Sequence, residues 1–164
     1  MNFTIKGKTI NQIEEFIVQN GFPKYRAQQI YNWIYKNGIS NIEDMNNIST
    51  ELKLFLINST NINTLSLHKK SEHHNTVKFL FKTSSNKFIE TVSMIENDKH
   101  TVCLSSQVGC SVDCDFCATG KMGFVSNLSS GEIIDQLLYI KNTIEKPITN
   151  IVFMGMGEPF LNYN

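Results

Sequence analysis

Between Lys99 and Pro159 the chain runs strand, loop, helix, strand, and this order restricts the fold more than any other feature. "KHTVCLSS" follows the turn residues Asn97 and Asp98 and reads as a short strand. Ser129-Ser130-Gly131-Glu132 has the layout of a capping box, and Ile133, Ile134, Leu137, Leu138 and Ile144 then form an amphipathic stripe that Pro147 ends. "NIVFMGMGEPF" is an apolar, β-branched run closing in glycines, which reads as a buried parallel strand. Together these make one βαβ unit. The loop after its first strand holds Cys110, Cys114 and Cys117, three of the chain's four cysteines, spaced C-x3-C-x2-C.

Upstream, the period of apolar residues changes near residue 65. Before it the spacing is helical. Asn11-Gln12-Ile13-Glu14 resembles a capping box ahead of Ile13, Phe16 and Ile17, and a second helix is expected from Pro23, through Ala27, Ile30, Tyr31 and Ile34, to Gly38. "STELKLFLINS" offers a third. Lys24, Arg26 and Lys36 beside Tyr25, Tyr31 and Trp33 read either as a solvated face over an ordinary core or as an RNA contact. After residue 65, "TVKFLFK" and "KFIETVSMI" alternate with period two around a turn at Ser84 to Asn86, giving a β-meander. Glu90 falls on one face with Phe88, Val92 and Met94. It is either an edge residue bending to water or a partly buried acid.

The 164 residues suffice for one ordinary domain or two small units. Hydrophobic residues at 41% and charged residues at 18% are the balance of a globular protein, and no apolar run is long enough to span a membrane. The N-terminus lacks the layout of a signal peptide, so a cytoplasmic protein is expected. In a reducing compartment, clustered cysteines are metal ligands or redox groups rather than structural disulfides. The formal net charge of zero excludes nucleic-acid binding by bulk charge, while a local basic patch stays open.

Three thiolates at this spacing can wrap one corner of a [4Fe–4S] cluster and leave its fourth iron open to substrate. Structural zinc, with Cys103 as fourth ligand, is the alternative, although such sites usually use two separated C-x2-4-C pairs. "GMGEP", Gly155 to Pro159, should end the next parallel strand beside the cysteine loop. Its glycines admit a ligand close to the backbone, and Pro159 biases Glu158 toward an extended conformation.

C-x3-C-x2-C with Phe116 before the last cysteine, followed by GxGEP, is similar to the radical S-adenosylmethionine superfamily. The longer string "CLSSQVGCSVDCDFCATGKMGF…GEIIDQ…NIVFMGMGEPFLN" resembles the RlmN/Cfr family of RNA adenine methyltransferases, RlmN type. The resemblance implies an α+β N-terminal part, a small helical bundle plus the β-meander, followed by the first βαβ unit of a partial (β/α) barrel, cut short. It divides the chain into a helical accessory, RNA-binding domain (1–60), a β-extension (61–100) and the start of the barrel (101–164). It assigns Cys110, Cys114 and Cys117 to the cluster, and Gly157, Glu158 and Phe116 to cofactor binding. Glu90 is then a proton acceptor, which favours the buried-acid reading, and Cys103 the thiol that resolves a protein–RNA adduct by forming a disulfide.

The implied reaction methylates adenine C2, in 23S rRNA and in the tRNA anticodon loop, at a carbon neither acidic nor nucleophilic. S-adenosyl-L-methionine methylates a cysteine near the far end of the barrel, and a second molecule, cleaved at the reduced cluster, activates that methyl group. An electron donor such as flavodoxin or ferredoxin, no membrane, and a monomer at full length are also implied. The C8-specific Cfr type is the neighbouring alternative. A four-cysteine zinc-stabilised RNA-binding module and a radical enzyme acting on a small molecule are the other classes. From residue 101 only 64 residues remain, against roughly 200 or more for a full barrel. No cysteine occupies the place of the methyl carrier, so the chain reads as an N-terminal portion, inactive alone.

Overall fold

The computed structural model describes residues 2–163. It divides into two compact units, Met1–Thr64 and Leu65–Asn164.

In the first unit the elements run β1 (Phe3–Thr4), α1 (Ile10–Gln19), α2 (Tyr25–Tyr31), a π-helical turn (Asn32–Lys36), a 3-10 turn (Ile42–Asp44), α3 (Thr50–Ser59) and β2 (Thr60–Asn61). The three expected helices are present. Parallel pairing of β1 with β2 closes the unit, a short pairing that periodicity does not announce. The capping box of α1 belongs to Thr9 and Gln12, not to Asn11 and Glu14: the Thr9 hydroxyl accepts the Gln12 N–H, and the Gln12 side chain accepts the Thr9 N–H. The second helix starts two residues later than Pro23 suggested. Ile13, Ile17, Ala27, Ile30, Ile34, Leu52 and Leu56 are buried at helical spacing.

The second unit begins with β3 (Leu65–His73), β4 (Thr76–Thr83), β5 (Phe88–Glu96) and β6 (Lys99–Cys103), an antiparallel meander. A hairpin of β7 (Gln107–Gly109) and β8 (Phe124–Asn127) follows, then α4 (Ser130–Thr143) and β9 (Asn150–Val152). β9 pairs parallel with β6, so the expected βαβ unit is β6–α4–β9. The sheet order is β3-β4-β5-β6-β9. The meander and the βαβ unit thus share one sheet and one compact unit, where the sequence reading drew a line at residue 100.

The two faces of this sheet differ. Phe79, Phe81, Ile89 and Val102 are fully buried and cluster with Ile140 of α4, while the Tyr139 ring meets Phe79 and Phe81 edge-on. On β5 the core-facing residues are therefore Ile89, Thr91 and Ser93, not the more apolar set of Phe88, Val92 and Met94. The hydroxyls tolerate this position because each has a partner: Thr91 donates to Gln136 Oε1 (2.7 Å), and Ser93 bonds His100 Nε2 (2.8 Å).

β9 is at the sheet edge, and Ile151, Phe153 and Met154 are exposed there, with Phe160, Leu161 and Tyr163 just beyond. An uncovered apolar edge is a template for pairing with another chain. The 164-residue chain alone is expected to self-associate on size-exclusion chromatography, and Phe153→Lys to shift it toward monomer. Monomeric elution of the unmodified chain would contradict this.

Candidate functional site

Gln136, on α4, is fully buried and organises the strand ends. Its Oε1 accepts from the Thr91 hydroxyl and from the Ser105 N–H (2.9 Å), and its Nε2 donates to the Ser105 carbonyl (2.9 Å). Ser105 in turn donates its hydroxyl to the Glu90 carbonyl (2.5 Å) and accepts the Met156 N–H (2.9 Å). One amide and one hydroxyl thus tie α4, β5, the end of β6 and the glycine-rich segment together. Nothing in the sequence marks Gln136, because a polar residue beside an apolar helical stripe looks solvent-facing.

The segment Leu104–Gln107 and "GMGEP" lie against each other. The N–H groups of Ser106 and Gln107 donate to the Met156 carbonyl (2.8 and 3.1 Å), Gly155 donates to the Leu104 carbonyl (3.1 Å), and Glu158 N–H donates to Gln107 Oε1 (2.9 Å). The glycines answer to this contact rather than to a ligand alone. A Cβ at Gly155 would lie 2.7 Å from the Leu104 carbonyl oxygen. One at Gly157, whose φ is +97°, would lie 2.5 Å from Gln107 Cβ. Glu158 is extended, as Pro159 dictates, and its carboxylate accepts the Phe160 N–H (3.1 Å).

The cysteine loop spans the connection from β7 to β8, so it is the tip of a hairpin, where the sequence pattern alone predicts only a loop. Gly109, at φ +73°, opens it, and a Cβ there would collide with the Gly123 carbonyl. The loop is closed by Cys110 N–H to the Gly123 carbonyl (3.1 Å) and Cys117 N–H to the Cys114 carbonyl (2.9 Å). All four cysteines are free thiols; Cys103 and Cys110 are buried, Cys114 and Cys117 half-buried. The N–H groups of Gly120 and Thr119, at the start of a 3-10 turn (Gly120–Met122), pull the Cys117 thiol below its ordinary range. Phe116 beside it is almost fully exposed.

A single tetrahedral zinc needs four sulfurs about 3.8 Å apart, as Zn–S bonds of about 2.3 Å require. Among the described residues, no group of three or more His, Cys, Asp or Glu side chains is arranged to hold a metal ion. Ligands of a cubane each hold a different iron and stand further apart. Three unpaired thiols on one closed loop are a donor set that suits the cluster.

Glu90 and Cys103 share the sheet face opposite α4. Val92 is directly across from Cys103, and Glu90 is one pair further along β5. Glu90 is not a buried acid: its side chain is 44% exposed, and its carboxylate pairs with Lys78 Nζ at 2.9 Å. The reason is that α4 covers the other face. Cys103 is 9% exposed, and burial pushes its thiol above the ordinary range, against a smaller opposite effect from the Met154 N–H.

Residues 3–62 match the family described as ribosomal RNA large subunit methyltransferase N-terminal domain. The chain is 42% identical over 156 residues to the probable dual-specificity RNA methyltransferase RlmN of Trichodesmium erythraeum, covering 95% of this chain and 45% of that protein. It is 38% identical over 159 residues to the dual-specificity RNA methyltransferase RlmN of Geobacter sulfurreducens, covering 96% and 44%. The crystal structure of a radical SAM methyltransferase from Sphaerobacter thermophilus superposes with a TM-score of 0.92 at 37% identity, over 98% of this chain and 49% of that one. The chain spans a little under half the length of the curated relatives it matches. The helical unit lies within the family match, and nearly the whole chain, sheet unit and cysteine hairpin included, is similar to part of RlmN-type proteins.

Proposed function

We propose that the protein methylates C2 of an adenosine in 23S rRNA and in the tRNA anticodon loop, through a methylated-cysteine intermediate. The observation that carries this is the shared face of Glu90 and Cys103, at the strand ends that lead into the cysteine loop and "GMGEP". A carboxylate and a thiol that are diagonal neighbours across two strands, with Cβ atoms roughly 7 Å apart, can both reach one flat base.

Cys110, Cys114 and Cys117 would hold a [4Fe–4S] cluster, and Gly157 and Glu158 would meet S-adenosyl-L-methionine. When bound, these groups supply the radical chemistry that an unactivated adenine C–H requires. Glu90 takes the proton from C2 of the substituted adenine onto its carboxylate, and Lys78 holds that carboxylate in place. Cys103 then attacks the sulfur through which the carrier cysteine is joined to the transferred carbon: the S–S bond forms as the C–S bond breaks, and the proton of the Cys103 thiol ends on that carbon, completing the methyl group and freeing the methylated base. All four cysteines of this chain already have roles in this scheme, so the methyl carrier is a further cysteine of the whole protein. A single-stranded loop lets the adenine leave its stack and enter such a site.

The test is Cys103→Ala in the whole protein. Iron content is expected to stay unchanged, while RNA becomes covalently trapped and migrates with the protein on a denaturing gel. Absence of the trapped species, or iron loss as large as that of a cluster-ligand variant, would refute the assignment.

A further inference from the structure

The open face that carries Glu90 and Cys103 is basic on one side only, and a backbone irregularity makes it so. Register places Lys69, Leu80 and Glu90 in one row across β3, β4 and β5, and Lys78, Val92 and Cys103 in the next row across β4, β5 and β6. Lys82 faces Phe88 in a third row. The pairing of β3 with β4 shifts between Leu67 and Lys69, a β-bulge at His68. A bulge presents two consecutive side chains to the same side of a strand. Here these are His68 and Lys69, and the His68 ring lies against Phe88 on the open face (centroids 4.9 Å apart).

The result is a patch of Lys69, Lys78 and Lys82 around a His68–Phe88 ring pair, with Glu90 as the acid among them. Glu90 is held by Lys78, whereas Lys69 and Lys82 have no ion-pair partner among the described residues. Lys70 and Glu72, on the opposite face, pair with each other. In a chain of zero net charge this one-sided arrangement is a local choice. Lysines next to an exposed aromatic ring are the two parts of a single-strand nucleic-acid platform: charges for the phosphates, a ring for a base.

We infer that the β3–β4 edge of this face is the docking track for the RNA strand, with Lys69 and Lys82 contacting phosphates and Phe88, backed by His68, stacking an unpaired base next to the one at Glu90 and Cys103. The inference rests on the proposal that RNA is the substrate. It adds which surface of this unit holds the strand and from which side the strand reaches the site. Charge complementarity selects the occupant, because a polyanion satisfies both unpaired lysines while a neutral or basic partner satisfies neither.

The experiment measures binding of a fluorescent single-stranded RNA loop to the whole protein across a salt series. The Lys69→Gln/Lys82→Gln double variant should bind more weakly and lose about 0.7 from the slope of log affinity against log salt for each lysine removed. Phe88→Ala should weaken binding roughly tenfold with the slope unchanged. If the unmodified protein binds and the variants match it in affinity and slope, this track is wrong while the RNA reading stands. If the unmodified protein binds no RNA at any salt concentration, both fall.

Discussion

Replacing Gln136 with leucine is expected to destabilise the second unit by about 3 kcal/mol or more, although the two side chains are nearly the same size. The loss is polar. Leucine would leave the Thr91 hydroxyl, the Ser105 N–H and the Ser105 carbonyl without their buried partner. Each such group, unpaired in the core, costs roughly 1–3 kcal/mol. Gln136→Glu keeps the acceptor but loses the donor to the Ser105 carbonyl, and introduces a buried charge, so it should fare no better. Urea denaturation of the monomeric Phe153→Lys background gives the measurement. A shift in stability below about 1 kcal/mol for Gln136→Leu would mean that water or a rearranged Ser105 takes over these bonds.

The second large effect concerns iron. Anaerobic reconstitution with iron and sulfide should give about four irons per chain and the broad absorbance of an iron–sulfur cluster. Cys114→Ala should remove nearly all of it, because the loop offers three thiols and a cubane corner needs each of them. Gly109→Ala should act almost as strongly without touching a ligand, since the added Cβ collides with the carbonyl to which Cys110 N–H is bonded. Stoichiometric zinc in the purified protein, with no iron–sulfide absorbance after reconstitution, would overturn the cluster assignment and return the four-cysteine zinc module to the front.

The helices and the βαβ unit were legible because their signals are local. The Ser129 capping box is present as expected, with Glu132 Oε2 accepting the Ser129 N–H at 2.9 Å. The cysteine cluster stood out because three thiols sit together in sequence. What periodicity misread was the facing of β5. Counting apolar residues groups Phe88, Val92 and Met94 on one face, but it is Thr91 and Ser93 that turn inward, because Gln136 and His100 meet them from 45 and 7 positions away. A pattern rule scores each side chain by its own polarity and has no access to a distant partner that satisfies it. The bulge at His68 escaped for a similar reason: it is a property of two paired strands and not of either alone. The glycines of "GMGEP" were recognised, but the sequence does not say that their missing Cβ atoms make room for Leu104 and Gln107.

That last contact has a practical consequence for anyone moving this chemistry to another scaffold. Leu104–Gln107 and Gly155–Glu158 are more than forty residues apart in the chain, yet neither keeps its shape without the other, and Ser105 keeps its place only while Gln136 holds it. Transplanting the cysteine hairpin by itself would carry the thiols and leave behind what aims them. The smallest portable cassette is the hairpin with both strand ends and α4, moved as one piece. Chimeras joined anywhere inside residues 103–158 should fail more often than those joined at either end.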